Sequence, residues 1–349
     1  MLDVLIIGAG QAGLAAGYRA KAAGLSFQIV EAAQSAGGSW PCYYDSLALF
    51  SPAGYSALPG LAFPGDPERY PRRDEVVDYL RAYAAHFELP VTTNFRVTQV
   101  DVAERPRAFE VAAADGRLLE SRALVVASGG FGTPNLPSIE SDDAFTGQRL
   151  HSRDYHRPAP FAGQRLVVVG AGNSAVQIAV ELAQVATVSL ATRGRIRWVP
   201  QRLLGKDVHF WLKWTGLDNV NVPGDPTAPV LDDGRYSRAV RAGRPDQRPM
   251  FTRFTPDGVV WADGTEEAVD TVIFATGFAP TLDFLRSTEA LDAKGWPVHR
   301  RGVSLACPGL FFVGLPWQKD LSSATLRGAA RDSRTIQTAL DRWLAASVA

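Results

Sequence analysis

The sequence predicts an α/β protein made of two Rossmann-like units, the second inserted into the first. Two observations carry that prediction. A short apolar run leads into a glycine turn and then a helical pattern twice, over residues 4–17 and again over residues 166–179. In each case a charged residue stands 23 positions after the first glycine, Glu31 in the first unit and Arg193 in the second. At 349 residues the chain is long enough for two domains. The expected division places the second unit at 159–274, with 1–158 and 275–349 forming the first.

In the first unit, Val4-Leu5-Ile6-Ile7 reads as a buried parallel strand, and Gly8-Ala9-Gly10-Gln11-Ala12-Gly13 as the turn and helix start. The first glycine permits the turn, the second lets backbone approach a pyrophosphate, and the helix N-terminus supplies free N–H donors. Phe27 to Val30 is the second strand, and Glu31 at its end suits the hydroxyls of an unmodified ribose. The second unit repeats the device with Gly170, Gly172 and Ala175, around Asn173 and Ser174. Its second strand, Thr187–Ala191, ends in Thr192-Arg193, with Arg195 close behind. A carboxylate repels a 2′-phosphate, whereas arginine clamps it. The first unit therefore suits FAD and the second NADPH.

Between the units, Gly37-Gly38-Ser39-Trp40 is followed by an aromatic, Pro/Gly-rich stretch at 43–64 that reads as a fixed wall rather than a helix. Residues 73–85 have helical spacing. Residues 95–100, 109–111 and 118–120 read as antiparallel strands, and 123–127 as a further buried strand ending at Ala127-Ser128-Gly129. Its counterpart, 271–275, ends at Ala275-Thr276-Gly277. Residues 199–254 interrupt the second unit. Within them 209–214 is expected to pack as core or between the domains, and 225–248 to form a mobile excursion. A strand at 309–313 and a helix from about 322 to 346 close the chain.

Composition narrows the function classes. Lys+Arg and Asp+Glu are both 36, so no overall field recruits nucleic acid or an acidic membrane. The two cysteines, Cys42 and Cys307, are isolated, which argues against a disulfide framework, a metal site and a dithiol redox pair. No run approaches the ~18 apolar residues of a membrane span, and no signal peptide opens the chain, so a cytoplasmic location is expected. A homodimer is left open. With two nucleotides bound, reduced nicotinamide passing hydride to a flavin is the simplest relay.

Just before the second glycine turn stand Phe145, Gly147, His151 and Tyr155. This FxGxxxHxxxY pattern resembles the fingerprint of the class B flavin-dependent monooxygenases, the flavin-containing and Baeyer–Villiger enzymes. Together with GAGQAG, GGSW, ASGG, GAGNSA, ATGF and SATLRGAAR, in order, the resemblance spans nearly the whole chain. It is closest to short bacterial flavin-containing monooxygenases, including cation-efflux-associated flavoproteins. It implies that NADPH reduces FAD, that oxygen adds at the flavin C4a, and that a small sulfide, amine or ketone is oxygenated. It also implies that Trp40 and Leu49-Phe50-Ser51 flank the isoalloxazine, with Trp40 and Ser51 the residues beside the chemistry. Val97 is implied to meet the adenine, and Ser323-Ala324-Thr325-Leu326 to aim a helix start at the flavin pyrimidine. Asn173 and Ser174 are implied to cover the NADP pyrophosphate, and His151 to fix the domain junction rather than to catalyse. Two departures bear on activity. Ser51 stands where many relatives carry asparagine, and Tyr155 where Baeyer–Villiger enzymes carry tryptophan; no match to the latter's active-site arginine is found, so oxidation of sulfur or nitrogen is favoured. An NADPH oxidase or flavin reductase, and a non-catalytic redox sensor, are the alternatives.

Overall fold

Val4, Leu5 and Ile6 are almost wholly buried, and a strand buried on both faces must be covered on each. Strand Leu2–Ile7 accordingly lies inside a sheet, parallel to Phe27–Val30 on one side and Leu118–Val126 on the other. The computed structural model describes residues 1–104, 107–141, 143–220 and 229–346. Across this first sheet the order is 299–300, 303–304, 310–312, 118–126, 2–7, 27–30 and 91–92. Helices α1 (Gln11–Ala22), α2 (Arg73–His86) and α6 (Leu326–Ala346) share one core with it, centred on Leu14, Leu80 and Leu340. Residues 118–126 form one strand where two were expected. The first half, exposed at alternate positions, pairs antiparallel with Arg107–Ala113; the fully buried second half runs parallel to Leu2–Ile7.

The second sheet is wholly parallel, in the order 246–249, 187–192, 165–169, 271–274 and 148–151. Strand Gln148–His151 thus joins the second unit ahead of the expected boundary at 159. Helix α3 (Asn173–Leu182) covers one face, and Phe145 and Phe254 pack on the other.

The interrupting segment departs most from expectation. Residues 221–228 lie outside the described residues, but 229–249 is built into the fold rather than a free excursion. Val230–Asp232 pairs with Trp198–Pro200, and Val230 is fully buried. Asp232 accepts from the Tyr236 and Ser237 N–H groups at 3.0 and 3.2 Å, capping α5 (Arg235–Arg241), and Asp246–Pro249 becomes the outermost strand. Residues 209–214 are not core. They lie in α4 (Val208–Thr215), of which only His209 is buried, while Trp214 is 73% exposed. Asp207 caps the helix by accepting from His209 N–H, and the His209 ring packs on Phe50 and Tyr55 of the 43–64 wall, so packing between segments is found at His209.

Candidate functional site

Two cradles form where strands meet helix starts. In the first, Gly8 has φ +105° and a Cβ there would lie 2.7 Å from the Ala127 carbonyl oxygen, so only glycine fits. A Cβ on Gly13 would lie 1.8 Å from the Gly8 carbonyl oxygen, so α1 starts close against the turn. Gly10 caps α1 with no side-chain acceptor, and Gly38 (φ +57°) packs directly on it; Ala12 lies buried in the first turn. Glu31 is buried, and its two oxygens accept from Ala9 N–H at 2.7 Å and Ala33 N–H at 3.0 Å. Phe95 N–H donates to the Glu31 carbonyl, bringing the start of strand Val97–Glu104 beside the acid.

The rest of this cradle comes from distant sequence. Gln11 accepts from Trp40 Nε1–H at 2.8 Å and donates to the Ala324 carbonyl at 3.1 Å. One amide thus joins the first glycine turn, the GGSW segment and the turn ahead of α6. Ser39 faces Tyr43, and Ser128 and Gly129 continue from Ala127 into a turn with φ +77° at Gly129. Helix α6 starts at Leu326, not at Ser322, because Ala324 adopts φ +70° and breaks the helical path. Thr325 Oγ1 then accepts from Gly328 N–H at 3.2 Å as its cap, while Ser323 Oγ takes the Lys319 and Asp320 N–H groups. Behind this turn Asp332 is fully buried with neither carboxylate oxygen hydrogen-bonded; burial pushes its carboxyl up to about 6.

The second cradle repeats the geometry with different chemistry. Gly170 has φ +141°, and a Cβ there would meet the Ala275 carbonyl oxygen at 2.5 Å. Gly172 caps α3 with no side-chain acceptor and open space in front of it. Thr192 is buried and accepts from Gln247, whereas Arg193 and Arg195 are exposed, with no ion-pair partner among the described residues. Asn173 does not project freely: its amide donates to the Pro229 carbonyl and accepts from Leu231 N–H, both at 3.3 Å. Ser174 sits beside the buried Tyr44 hydroxyl, which donates to Gln177.

The fingerprint residues lie between the cradles. Gly147 is required because a Cβ would strike the Phe145 ring at 2.3 Å and the Asp270 carbonyl at 2.7 Å. His151 is buried; Nε2–H donates to the Gly277 carbonyl at 3.1 Å and Nδ1 accepts from Arg153 N–H. Burial lowers its pKa, so it stands neutral and structural. The Tyr155 hydroxyl, fully buried, donates to Glu181 at 2.7 Å. Thr276 donates to the Asn135 carbonyl, tying the end of the 271–274 strand to the connecting loop.

The wall holds a further surprise. Ser51 is buried, and its hydroxyl lies 2.9 Å from that of Ser56, so it is already engaged. Leu49 is buried, and Phe50 stacks on His209 with ring centres 6.1 Å apart. Beneath it is a network that inspection of the sequence missed. Asp207 accepts from His209 Nδ1–H at 2.6 Å, Tyr70 OH at 2.5 Å and Gln201 Nε2–H at 2.9 Å; Gln201 also donates to the Phe50 carbonyl. Burial alone would raise the Asp207 pKa, but the hydrogen bonds from His209 and Tyr70 outweigh it and hold the acid ionised. Asp218 makes a second tie, to Arg327 at 2.7 Å and Arg331 at 2.9 Å on α6. An acid just ahead of an apolar helical run was a legible signal for Asp207. Nothing local pairs Asp218 with residues 109 positions away.

Paired cradles of this kind define a flavoprotein oxidoreductase plan. Residues 5–215 match the pyridine nucleotide-disulphide oxidoreductase family. The flavin-containing monooxygenase of Stenotrophomonas maltophilia superposes with a TM-score of 0.87 at 34% identity, over 98% of each chain. An uncharacterized CzcO-like oxidoreductase of Geobacillus kaustophilus is 35% identical over 96% of this chain and 97% of its own. Indole-3-pyruvate monooxygenase YUCCA1 of rice is 30% identical over 89% of this chain and 86% of its own. The chain belongs to this oxidoreductase family and, within it, to the flavin-dependent monooxygenases, which use FAD and NADPH. Among the described residues no helix is long and apolar enough to cross a membrane, and no cluster of side chains could hold a metal ion.

Proposed function

We propose that this chain is an NADPH-dependent monooxygenase of small sulfides or amines. The observation that carries the reading is the opposite charge at matched positions of the two cradles: a buried carboxylate at Glu31 and free guanidiniums at Arg193 and Arg195. The residues fit both cofactors: two glycine turns closed to any Cβ, two helix starts with no side-chain cap, and an acid or a base at the ribose end. FAD, when bound, supplies hydride acceptance and oxygen activation. In the first cradle Gly8 to Gly13 and Gly38 would approach its pyrophosphate, Glu31 its ribose, Val97 its adenine, and Trp40 and Leu49 to Ser51 its ring. Ala127 to Gly129 would close the cradle, and the 323–326 turn would present N–H groups to the pyrimidine. In the second, Gly170 to Ala175 would take the NADP pyrophosphate, Thr192, Arg193 and Arg195 its 2′-phosphate, and Ala275 to Gly277 would border the nicotinamide side. The wall at 40–64, pinned by Asp207, would exclude water.

No disulfide joins the two cysteines, Cys42 being exposed and Cys307 buried, so they do not form the dithiol pair that a disulphide reductase would use. Substrate-dependent oxygen uptake across thioethers, tertiary amines and cyclic ketones tests the proposal. Product with the first two classes and little with ketones is expected; NADPH consumption with no oxygenated product from any class defeats it. A simple NADPH oxidase is the second reading, favoured by the engagement of Ser51 with Ser56. Stopped-flow absorbance of reduced, NADP⁺-bound protein mixed with oxygen separates the two. A long-lived species before the oxidised spectrum supports oxygenation, and a single fast return supports the oxidase.

A further inference from the structure

Four arginines line one open recess of about 600 Å³. Arg300 and Arg301 come from the outermost strand of the first sheet and the turn after it, where Arg301 adopts φ +52°. Arg334 and Arg342 project from the facing side of α6, and Val303 and Ala339 lie between the two walls. None of the four guanidiniums has a carboxylate partner among the described residues. The acid next to Arg342, Asp341, is turned to Gln337, whose amide donates to it at 2.7 Å. In a chain whose charges balance at 36 each, four unneutralised cations around one recess are a local excess that the fold does not need. All four are exposed, so water screens part of their mutual repulsion, and an anion among them would relieve the rest.

We infer that this recess binds a small polyanion carrying phosphate or pyrophosphate groups, at a site separate from both nucleotides. The planar fork of each guanidinium matches phosphate oxygens in pairs, and the open recess leaves room for a small polyanion to reach all four. Its lining sets the four guanidiniums around two threonines, Val303, Ala339 and the arginines' own apolar stems, so the only charges it offers a ligand are positive. The position keeps it apart from the flavin cradle. Helix α6 begins at Leu326 beside that cradle; Arg334 and Arg342 lie eight and sixteen residues further on, roughly 12 and 24 Å along the axis. The arginines of the second cradle belong to the other sheet.

Isothermal titration of FAD-loaded Arg193→Ala/Arg195→Ala protein with sodium tripolyphosphate tests the inference, the two substitutions removing the cations of the second cradle. One saturable site is expected, weakening tenfold or more between 50 and 200 mM salt as the charges are screened. In that background Arg334→Ser/Arg342→Ser on one wall and Arg300→Ser/Arg301→Ser on the other should each weaken binding at least tenfold. Two separate variants guard against one that fails to fold. No saturable heat, or equal affinity in the folded recess variants, overturns the site. So does binding of a polyglutamate peptide without tripolyphosphate binding, which would assign the recess to an acidic protein partner.

Discussion

The two cradles share a backbone and differ in what is finished before a ligand arrives. In the first, Glu31 is locked by two backbone N–H groups, and Gln11 joins three segments across the chain. In the second, Arg193 and Arg195 stand in solvent. The difference fits a resident group on one side and an exchanging coenzyme on the other: a carboxylate held by the fold costs no ordering on binding, while free arginines let a ligand leave. The helix starts differ in the same sense, Gly13 in the first and Ala175 in the second.

That contrast is most directly broken at the helix starts. Gly13→Ala places a methyl 1.8 Å from a backbone oxygen, and should cost about 3 kcal/mol or more with loss of bound flavin. The matched change Ala175→Gly should cost only about 0.5–1 kcal/mol. Urea unfolding and flavin absorbance check both, and equal losses would abolish the asymmetry.

Next in size is a pH effect behind the first cradle. Asp332 has a carboxyl raised by burial to about 6 from an ordinary 3.8, so the folded protein holds the proton more tightly than the unfolded chain. Below about pH 4 both states are protonated and nothing changes. Between about pH 4 and 6 the unfolded chain ionises first and stability falls, by up to about 3 kcal/mol, levelling above that range. Asp332→Asn should therefore melt higher than wild type at pH 7.5 and at the same temperature at about pH 3. A constant difference at both would show that this carboxyl does not titrate as described.

The second cradle is probed by Arg193→Ala, expected to weaken NADPH by about 1.5–3 kcal/mol and hardly touch NADH. Equal loss with both coenzymes removes the phosphate role. The smallest of the four, about 2 kcal/mol of stability, is expected for Asp218→Asn, which loosens the tie between the second unit's insertion and α6. It falls short of the ~3–5 kcal/mol of a fully buried pair because Arg331 is partly exposed. Differential scanning calorimetry reads it, and an unchanged melting temperature would mean that the insertion does not rely on this tie.

Much that depends on local periodicity was legible in the residues: both glycine turns, the acid and the arginine at matched spacing, and the buried runs at 4–7, 166–169 and 271–274. Such features repeat over a few residues, and their physics acts within a turn or a strand. What tertiary structure alone decided was the fate of side chains whose partners are remote. It turned Ser51 onto Ser56, tied Asn173 to the Pro229 carbonyl, drew His209 inward under Phe50, and set Asp218 against two arginines of the last helix. It also gathered four arginines into one recess from a strand edge and a helix that no spacing relates. The reason is that a buried polar group takes whichever partner the packed chain brings within hydrogen-bond reach, and that proximity is a property of the closed fold, not of any stretch of sequence.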